Sequence, residues 1–140
     1  MDNIERIPTM FTKLIVNDEE KMADYYCNVY RLTKVLRVEG ISAGIGEKFR
    51  EVILSTTGDM AGETLVMFNF VNRPKPRDQQ SIAGFITDDI DALRDRIVAN
   101  GGKLVGPLRD ETDHGVRVQF SEDPEGALAE NVQLLLPDAS

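Results

Sequence analysis

The pattern of hydrophobic and polar positions changes period along the chain, and the same order of periods occurs twice. In the first half it predicts a strand at 10–16 and a helix that begins at Asn17. Three more strands are predicted at 33–38, 49–55 and 64–70. In the second half it predicts the same series: a strand at 81–87, a helix that begins at Asp88, and strands at 103–105, at 116–120 and within 128–135. Glycine-containing turns separate most of these runs.

Each predicted helix has one apolar stripe and a polar start. In the first helix the stripe is Met22, Tyr26 and Val29, at i, i+4, i+7 spacing. In the second helix it is Ile90, Leu93 and Ile97, at i, i+3, i+7 spacing. Asn17 and Glu20 are spaced as an N-cap and its reciprocal carboxylate, and Asn100-Gly101-Gly102 is a typical helix stop.

The two halves superpose at an offset of 71 residues, which aligns Asp18 with Asp89 and Ile15 with Ile86. A βαβββ unit written twice cannot cover its own sheet, so the units must pack on other elements. We therefore predict one α+β domain, with module one at about 9–71 and module two at about 81–136. The polar segment between them, 72–80, contains two prolines and is predicted to be a linker.

Composition excludes several classes of partner and site. The formal charge is 16 − 24 = −8, which disfavours nucleic acid and anionic membranes. The single cysteine, Cys27, excludes an internal disulfide, and the single histidine, His114, excludes any metal site that needs two imidazoles from one chain. The chain has no long apolar run, and its start (MDNIERIPTM) lacks the apolar region of a signal peptide, so we expect a cytoplasmic protein.

Three segments carry a family resemblance: IVNDEEKMADYY, FITDDIDALRDRIVANGGKLVGP and VRVQFSEDPEGALAENVQLL. With them, the Asp-Pro-acidic-Gly turn at 123–126 resembles the vicinal oxygen chelate superfamily, which includes glyoxalase I, extradiol dioxygenases and bleomycin resistance proteins. The resemblance implies two βαβββ modules in a curved, cup-shaped eight-stranded sheet with the helices outside. It also implies a small organic ligand in the cup and a homodimer. One departure is Arg31, which stands where the family usually has glycine.

The resemblance also implies where metal ligands would be. Metal-dependent members have a histidine seven residues before the aspartate of each strand-to-helix joint and a glutamate in the last strand of each module. In this chain the histidine positions hold Phe11 and Ile82, and the glutamate positions fall near Met67 and on Glu130. Three of these four side chains cannot bind a divalent ion, so we predict no metal and no other cofactor.

Strand alternation gives the predicted lining of the cup. Phe11, Lys13 and Ile15 share one face of the first strand, and the resemblance makes this the cup side. By the same reasoning the other inward residues are Met67, Asn69, Ile82, Gly84 and Ile86. In the last strand, Glu130 and Gln133 are alternative inward residues, because a slip of one residue exchanges the faces. The predicted ligand-binding residues are Phe11, Lys13, Met67, Asn69, Ile82 and Gln133.

Two side chains are candidates for proton transfer. Glu130 could act as a general acid or base in an apolar cup, and its structural alternative is a solvated glutamate at a strand end. His114 could act at the mouth of the cup, and its alternative is an exposed loop histidine. These candidates predict a metal-independent enzyme of lyase or isomerase type. The second hypothesis is a ligand-sequestering protein without chemistry, and the acidic charge favours a cationic or neutral ligand for it.

Overall fold

The computed structural model describes residues 5–42 and 44–135, and within them the predicted α+β class and the twofold βαβββ order are confirmed. The elements are β1 (Phe11–Ile15), α1 (Glu19–Tyr30), β2 (Thr33–Ile41), β3 (Lys48–Ser55), β4 (Thr64–Phe70), β5 (Ala83–Ile86), α2 (Ile90–Ala99), β6 (Lys103–Glu111), β7 (Val116–Glu122) and β8 (Leu128–Leu134). Strand β6 is much longer than the predicted 103–105, because it continues through an irregularity between Val105 and Arg109. None of the helices in the described ranges has the length and apolar character that a membrane span requires.

The described residues form two compact units. The first unit contains the chain up to Ala23 together with Leu32–Lys75, and the second contains Asp24–Arg31 together with the chain from Pro76 onward. Helix α1 therefore contributes its first residues to one unit and its remaining residues to the other. The predicted eight strands are present as one four-stranded sheet in each unit.

The sheet of the first unit has the strand order β1-β4-β3-β2, and only the β1–β4 pair is parallel. Lys13 pairs with Val66 and Ile15 with Phe68, which in turn pairs with Glu51. Directly paired residues point to the same side of a sheet, so these five side chains lie on one face, which we call the Lys13 face. Residues 52–54 of β3 and 65–68 of β4 are buried on both faces, as their continuous apolar sequences require.

The start of α1 differs from the predicted cap by one residue. The Asp18 carboxylate accepts the Lys21 backbone N–H at 3.0 Å, so Asp18 caps the helix and the prediction of Asn17 with Glu20 is wrong. The Asn17 side chain instead accepts the Lys75 backbone N–H at 2.8 Å, and Glu20 binds the Arg37 guanidinium. The predicted cap failed because two adjacent residues, Asn and Asp, are equally good capping residues.

The sheet of the second unit has the order β5-β8-β7-β6. Glu130 pairs with Gly84 on β5 and with Phe120 on β7, and these residues define what we call the Glu130 face. The opposite face is covered by α2, which buries Ile90, Leu93 and Ile97. On that face the Arg94 side chain donates to the Gln119 side-chain oxygen at 3.0 Å.

The last turns of α1 are anchored to the second unit by two tyrosines. The Tyr26 hydroxyl donates to Asp123 Oδ2 at 2.7 Å, and the Tyr30 hydroxyl donates to Asn131 Oδ1 at 2.6 Å. The Tyr30 ring stacks on Phe85, with 3.7 Å between centroids. Tyr26, predicted as part of the apolar stripe of α1, is buried, and Tyr30 is half-buried. Their hydroxyls also satisfy the buried polar groups of Asp123 and Asn131.

Candidate functional site

The Glu130 face carries a carboxylate among apolar side chains. Glu130 is half-buried, and among the described residues its carboxylate has no hydrogen-bond or ion-pair partner. Opposite it on β5 is Gly84, where an added Cβ would meet no atom within 4 Å, so the space beside the carboxylate is open. Its neighbours on this face include the apolar side chains of Phe120 and Val132, with Ile86 and Leu134 farther along the strands, and Glu122 lies diagonally across from it on β7.

Some of the exposed apolar side chains lie on or next to the same face. Ile86 is 71% exposed and Leu134 47%, and Ile82, two residues before Gly84, is 51% exposed. An apolar patch around a polar group is typical of a surface that binds another molecule. The chemistry available beside Gly84 is therefore hydrophobic contact, together with the Glu130 carboxylate, which can accept or donate a proton.

Gln133, the alternative to Glu130, lies on the other side of β8. Its side-chain oxygen accepts the Ile90 backbone N–H at 2.9 Å, at the first residue of α2. Asp89 completes the cap by accepting the Ala92 backbone N–H. Gln133 therefore satisfies a helix end, and of the two alternatives only Glu130 shares a face with Gly84.

The Lys13 face contains an ion pair on an aromatic surface. Lys13 Nζ lies 2.9 Å from Glu51 Oε2 and 4.8 Å from the centroid of the Phe68 ring. The Phe49 and Phe68 rings are stacked with centroids 5.3 Å apart and planes 4° apart, and Phe70 meets Phe68 edge-on at 4.7 Å. A cation over a ring face, fixed by a carboxylate, is a favourable arrangement that also holds the lysine in one position.

Glu51 is not among the residues predicted for the site, although the sequence contains a signal for it. In the segment Phe49-Arg50-Glu51-Val52-Ile53 the glutamate occupies a position that shares a face with Phe49 and Ile53. A charged residue in an otherwise apolar alternation indicates a buried charge, which needs a partner. Glu51 is only 8% exposed, and Lys13 is that partner.

The prediction that Met67 and Asn69 share a face with Lys13 is wrong. Met67 pairs with Leu14 and so points to the opposite face, where it is fully buried. Asn69 donates to Glu19 Oε1 at 2.8 Å and to the Asn17 carbonyl at 3.2 Å, at the start of α1. Because every position of LVMFNF except Asn69 is apolar, alternation could not assign its faces, and the β1–β4 register does so instead.

The contacts of His114 do not include the Glu130 carboxylate. It ends the short 3₁₀ turn Thr112–His114, its side chain is 78% exposed, and Nδ1 is 3.5 Å from Glu111 Oε2. No contact links it to Glu130 within the described residues.

Phe11, one of the predicted ligand-binding residues, is the first residue of β1. It is 64% exposed and lies on the same face as Lys13.

The donor set does not fit the metal site that the resemblance implies. The pairing of Lys13 with Val66 corresponds to that of Gly84 with Glu130, so the first-module counterpart of Glu130 is Val66 rather than Met67. Phe11, Ile82 and Val66 all lack a donor atom, which leaves Glu130 as the one oxygen ligand in the set. Across residues 5–42 and 44–135, no three histidine, cysteine or acidic side chains converge on a point where a metal ion could sit.

Comparison with known proteins gives one family and many similar folds. Residues 9–130 match the model of the Glyoxalase/Bleomycin resistance protein/Dioxygenase superfamily. A glyoxalase family protein from Bacillus cereus is 16% identical with a TM-score of 0.77, covering 97% of this chain and 99% of that one. TioX from Micromonospora sp. ML1 is 23% identical with a TM-score of 0.62, covering 90% and 98%. Maize glyoxalase I (V278E mutant) is 16% identical with a TM-score of 0.72, covering 91% of this chain and 44% of that one. A comparison with curated proteins finds no match.

Proposed function

The chain belongs to the Glyoxalase/Bleomycin resistance protein/Dioxygenase superfamily, and from this membership we propose that it binds a small, largely apolar organic molecule on the Glu130 face. We further propose that Glu130 transfers a proton in a metal-independent reaction of lyase or isomerase type. One observation carries the proposal: a half-buried carboxylate without a partner among the described residues borders open space and apolar side chains.

The chemistry follows from what such a carboxylate can do. Glu130 has no cation beside it in the described residues, so a bound molecule can supply its hydrogen-bond partner. A positioned carboxylate can take a proton from a carbon next to a carbonyl group and return it to a neighbouring atom, which is an isomerisation without oxidant or metal. The apolar surroundings contribute binding through burial of ligand surface.

The second candidate function is ligand sequestration without chemistry. It is favoured by the absence of a second acid or base in contact with Glu130 among the described residues. It is also favoured by the net charge of −8, because an acidic chain attracts a cationic ligand and a single carboxylate is sufficient to anchor one. In both candidates the protein is proposed to be a homodimer, which light scattering after size-exclusion chromatography would test.

The experiment screens aliphatic and aromatic ketones and amines by protein-observed NMR, then follows bound ketones for exchange of their α-protons with deuterated solvent. We expect ligands to shift the resonances of Ile86, Phe120 and Val132, and exchange to be catalysed. Glu130→Gln should abolish exchange and retain ketone binding, whereas Glu63→Gln, an exposed loop acid of the first unit, should change neither.

A steric variant tests the place of binding. Gly84→Val fills the open space, and the absence of a strained backbone or nearby atoms at Gly84 predicts a folded protein. We expect it to abolish the shifts on the Glu130 face. If ligands still bind Gly84→Val as they bind the wild type, the proposed site is wrong. If amines bind but no ketone exchanges its protons in the wild type, sequestration is the function and catalysis is refuted.

A further inference from the structure

We propose that the Lys13 face binds an uncharged aromatic compound with a carbonyl oxygen. In this site the Lys13 ammonium donates a hydrogen bond to the carbonyl, Glu51 holds the ammonium in place, and phenylalanine rings contact the aromatic part of the ligand. This proposal concerns the first unit only, and it names a hydrogen-bond donor and a ligand class that the function proposed for Glu130 does not include.

Lys13 has unused donor capacity. An ammonium group has three N–H donors, and within the described residues only Glu51 accepts one from Lys13. The Lys13 side chain is 42% exposed whereas that of Glu51 is 9% exposed, so the lysine is the accessible member of the pair. Its position is fixed on one side by the carboxylate at 2.9 Å and below by the Phe68 ring. A donor held in position loses little freedom when a ligand binds.

The charge of the pair selects an uncharged acceptor. Lys13 and Glu51 together are neutral, and the chain carries a net charge of −8. A carboxylate ligand would compete with Glu51 for the ammonium and would be repelled by it at close range. An amine ligand would meet the accessible ammonium first. A carbonyl oxygen can accept from a free N–H of Lys13 without displacing Glu51.

The aromatic side chains on this face define the rest of the ligand. Phe49 and Phe70 are half-buried beside Phe68, and Phe11 is 64% exposed two residues before Lys13. A phenylalanine this exposed gains contact area when a flat ring lies against it. Phe49 and Phe70 both contact Phe68, and the Arg73 guanidinium lies 3.7 Å from the centroid of the Phe70 ring, so Phe11 is the ring with the most surface left for a ligand.

The test uses three matched probes: 2-acetylnaphthalene, 2-ethylnaphthalene and 2-naphthoate. They share one ring system and differ in having a neutral acceptor, no acceptor, or an anionic acceptor. Binding is measured by protein NMR titration, with shifts mapped onto the sequence. We expect 2-acetylnaphthalene to bind about tenfold more tightly than 2-ethylnaphthalene, since one hydrogen bond from a charged donor has about that effect. Its shifts should include Phe11, Phe49 and Phe70.

Variants isolate the role of the lysine. Lys13→Met keeps the apolar stem and should reduce the preference for the ketone to about none, and Lys48→Met, an exposed lysine on the other face of the same sheet, should leave it unchanged. Because Lys13→Met leaves Glu51 buried without a cation, the double variant Lys13→Met/Glu51→Gln is measured as well, and it should also lose the preference.

The proposal is overturned if the folded Lys13 variant or the double variant keeps the tenfold preference, if 2-naphthoate binds more tightly than the ketone, or if the shifts lie outside this face. Failure here is distinguishable from failure of the function proposed for Glu130, because that function is read from Gly84 and Glu130 variants and from resonances of the second unit.

Discussion

The contact between Tyr26 and Asp123 should be a main source of stability in the second unit, and Tyr26→Phe tests it. The Tyr26 side chain is 1% exposed, and its hydroxyl is 2.7 Å from Asp123 Oδ2. The other oxygen of Asp123 accepts the backbone N–H groups of Glu125 and Ala127, each at 2.9 Å. Removing one hydroxyl thus leaves a buried carboxylate, itself 5% exposed, with an unsatisfied oxygen.

The magnitude follows from the kind of bond that is lost. A hydrogen bond to a charged group contributes about 1.5–3 kcal/mol, and the orphaned acceptor adds to the cost, so we expect Tyr26→Phe to lower the free energy of unfolding by about 2–3 kcal/mol. With an m-value of roughly 2 kcal/mol/M, this shifts the urea midpoint down by about 1 M. The ring and its stacking on Tyr30, 5.7 Å away, are retained, so no cavity contributes.

Urea unfolding followed by circular dichroism provides the assay, and the chain supplies a matched control. Tyr25 is also buried, at 4% exposure, but among the described residues its hydroxyl has no hydrogen-bond partner. Tyr25→Phe should therefore cost less than about 1 kcal/mol. If the two substitutions lower the midpoint equally, the Asp123 contact contributes nothing specific and the reasoning is refuted. A double-mutant cycle with Asp123→Ala should give a coupling energy of at least about 1 kcal/mol.

Three further outcomes are expected from single residues. Burial raises the pKa of Tyr30 to about 12, so its stabilising contribution is complete below pH 10 and lost as the pH rises towards 12; tyrosinate absorbance should appear late in native protein and near pH 10 in denaturant. Arg31 has a left-handed φ of 58°, so Arg31→Gly should raise the urea midpoint by the equivalent of about 0.5–1 kcal/mol, and an unchanged or lower midpoint would contradict the strain. Gln133→Ala removes a cap from α2 and should cost about 1 kcal/mol in thermal unfolding without changing ligand shifts; weakened binding in a fully stable variant would instead assign it to the site.

The order of elements could be predicted from the sequence because helices and turns are encoded locally. Apolar stripes at helical spacing gave α1 and α2, and glycine-containing turns gave most strand limits. The resemblance also identified position 31 as a glycine site, and the left-handed backbone of Arg31 explains why the family prefers glycine there. The start of α1 was displaced by one residue, because the choice between adjacent caps depends on what else each side chain can bond.

The side of the sheet to which each side chain of a buried strand points could not be predicted in the same way. Period-two alternation carries no information in a run such as LVMFNF, since both faces of β4 are buried. The register with β1 is a long-range property, and it moved Met67 and Asn69 to the helix side while bringing Glu51 beside Lys13. On β8 apolar and polar residues alternate only from Asn131 to Leu134, so alternation alone left Glu130 and Gln133 as alternatives. The register with β5 and β7 puts Glu130, and not Gln133, on the face of Gly84.

The two modules have the same strand pairing, but the residues at equivalent paired positions differ in chemical type. The offset of 71 places Gly84 where the first module has Lys13, and their partners on the last strands are Glu130 and Val66. The acid of the first sheet, Glu51, pairs with Phe68, and the matching pair in the second sheet is Val118 with Val132. Glu51 and Glu130 therefore lie on corresponding faces of their sheets but on different strands, and of these two acids only Glu51 has a lysine partner among the described residues. Glu51, which is paired with a lysine, holds that lysine in place. Glu130, which has no cation partner among the described residues and lies beside Gly84, leaves both a charge and a space for a ligand. The proton transfer that we propose therefore needs the second sheet, whereas the first sheet is suited to binding alone.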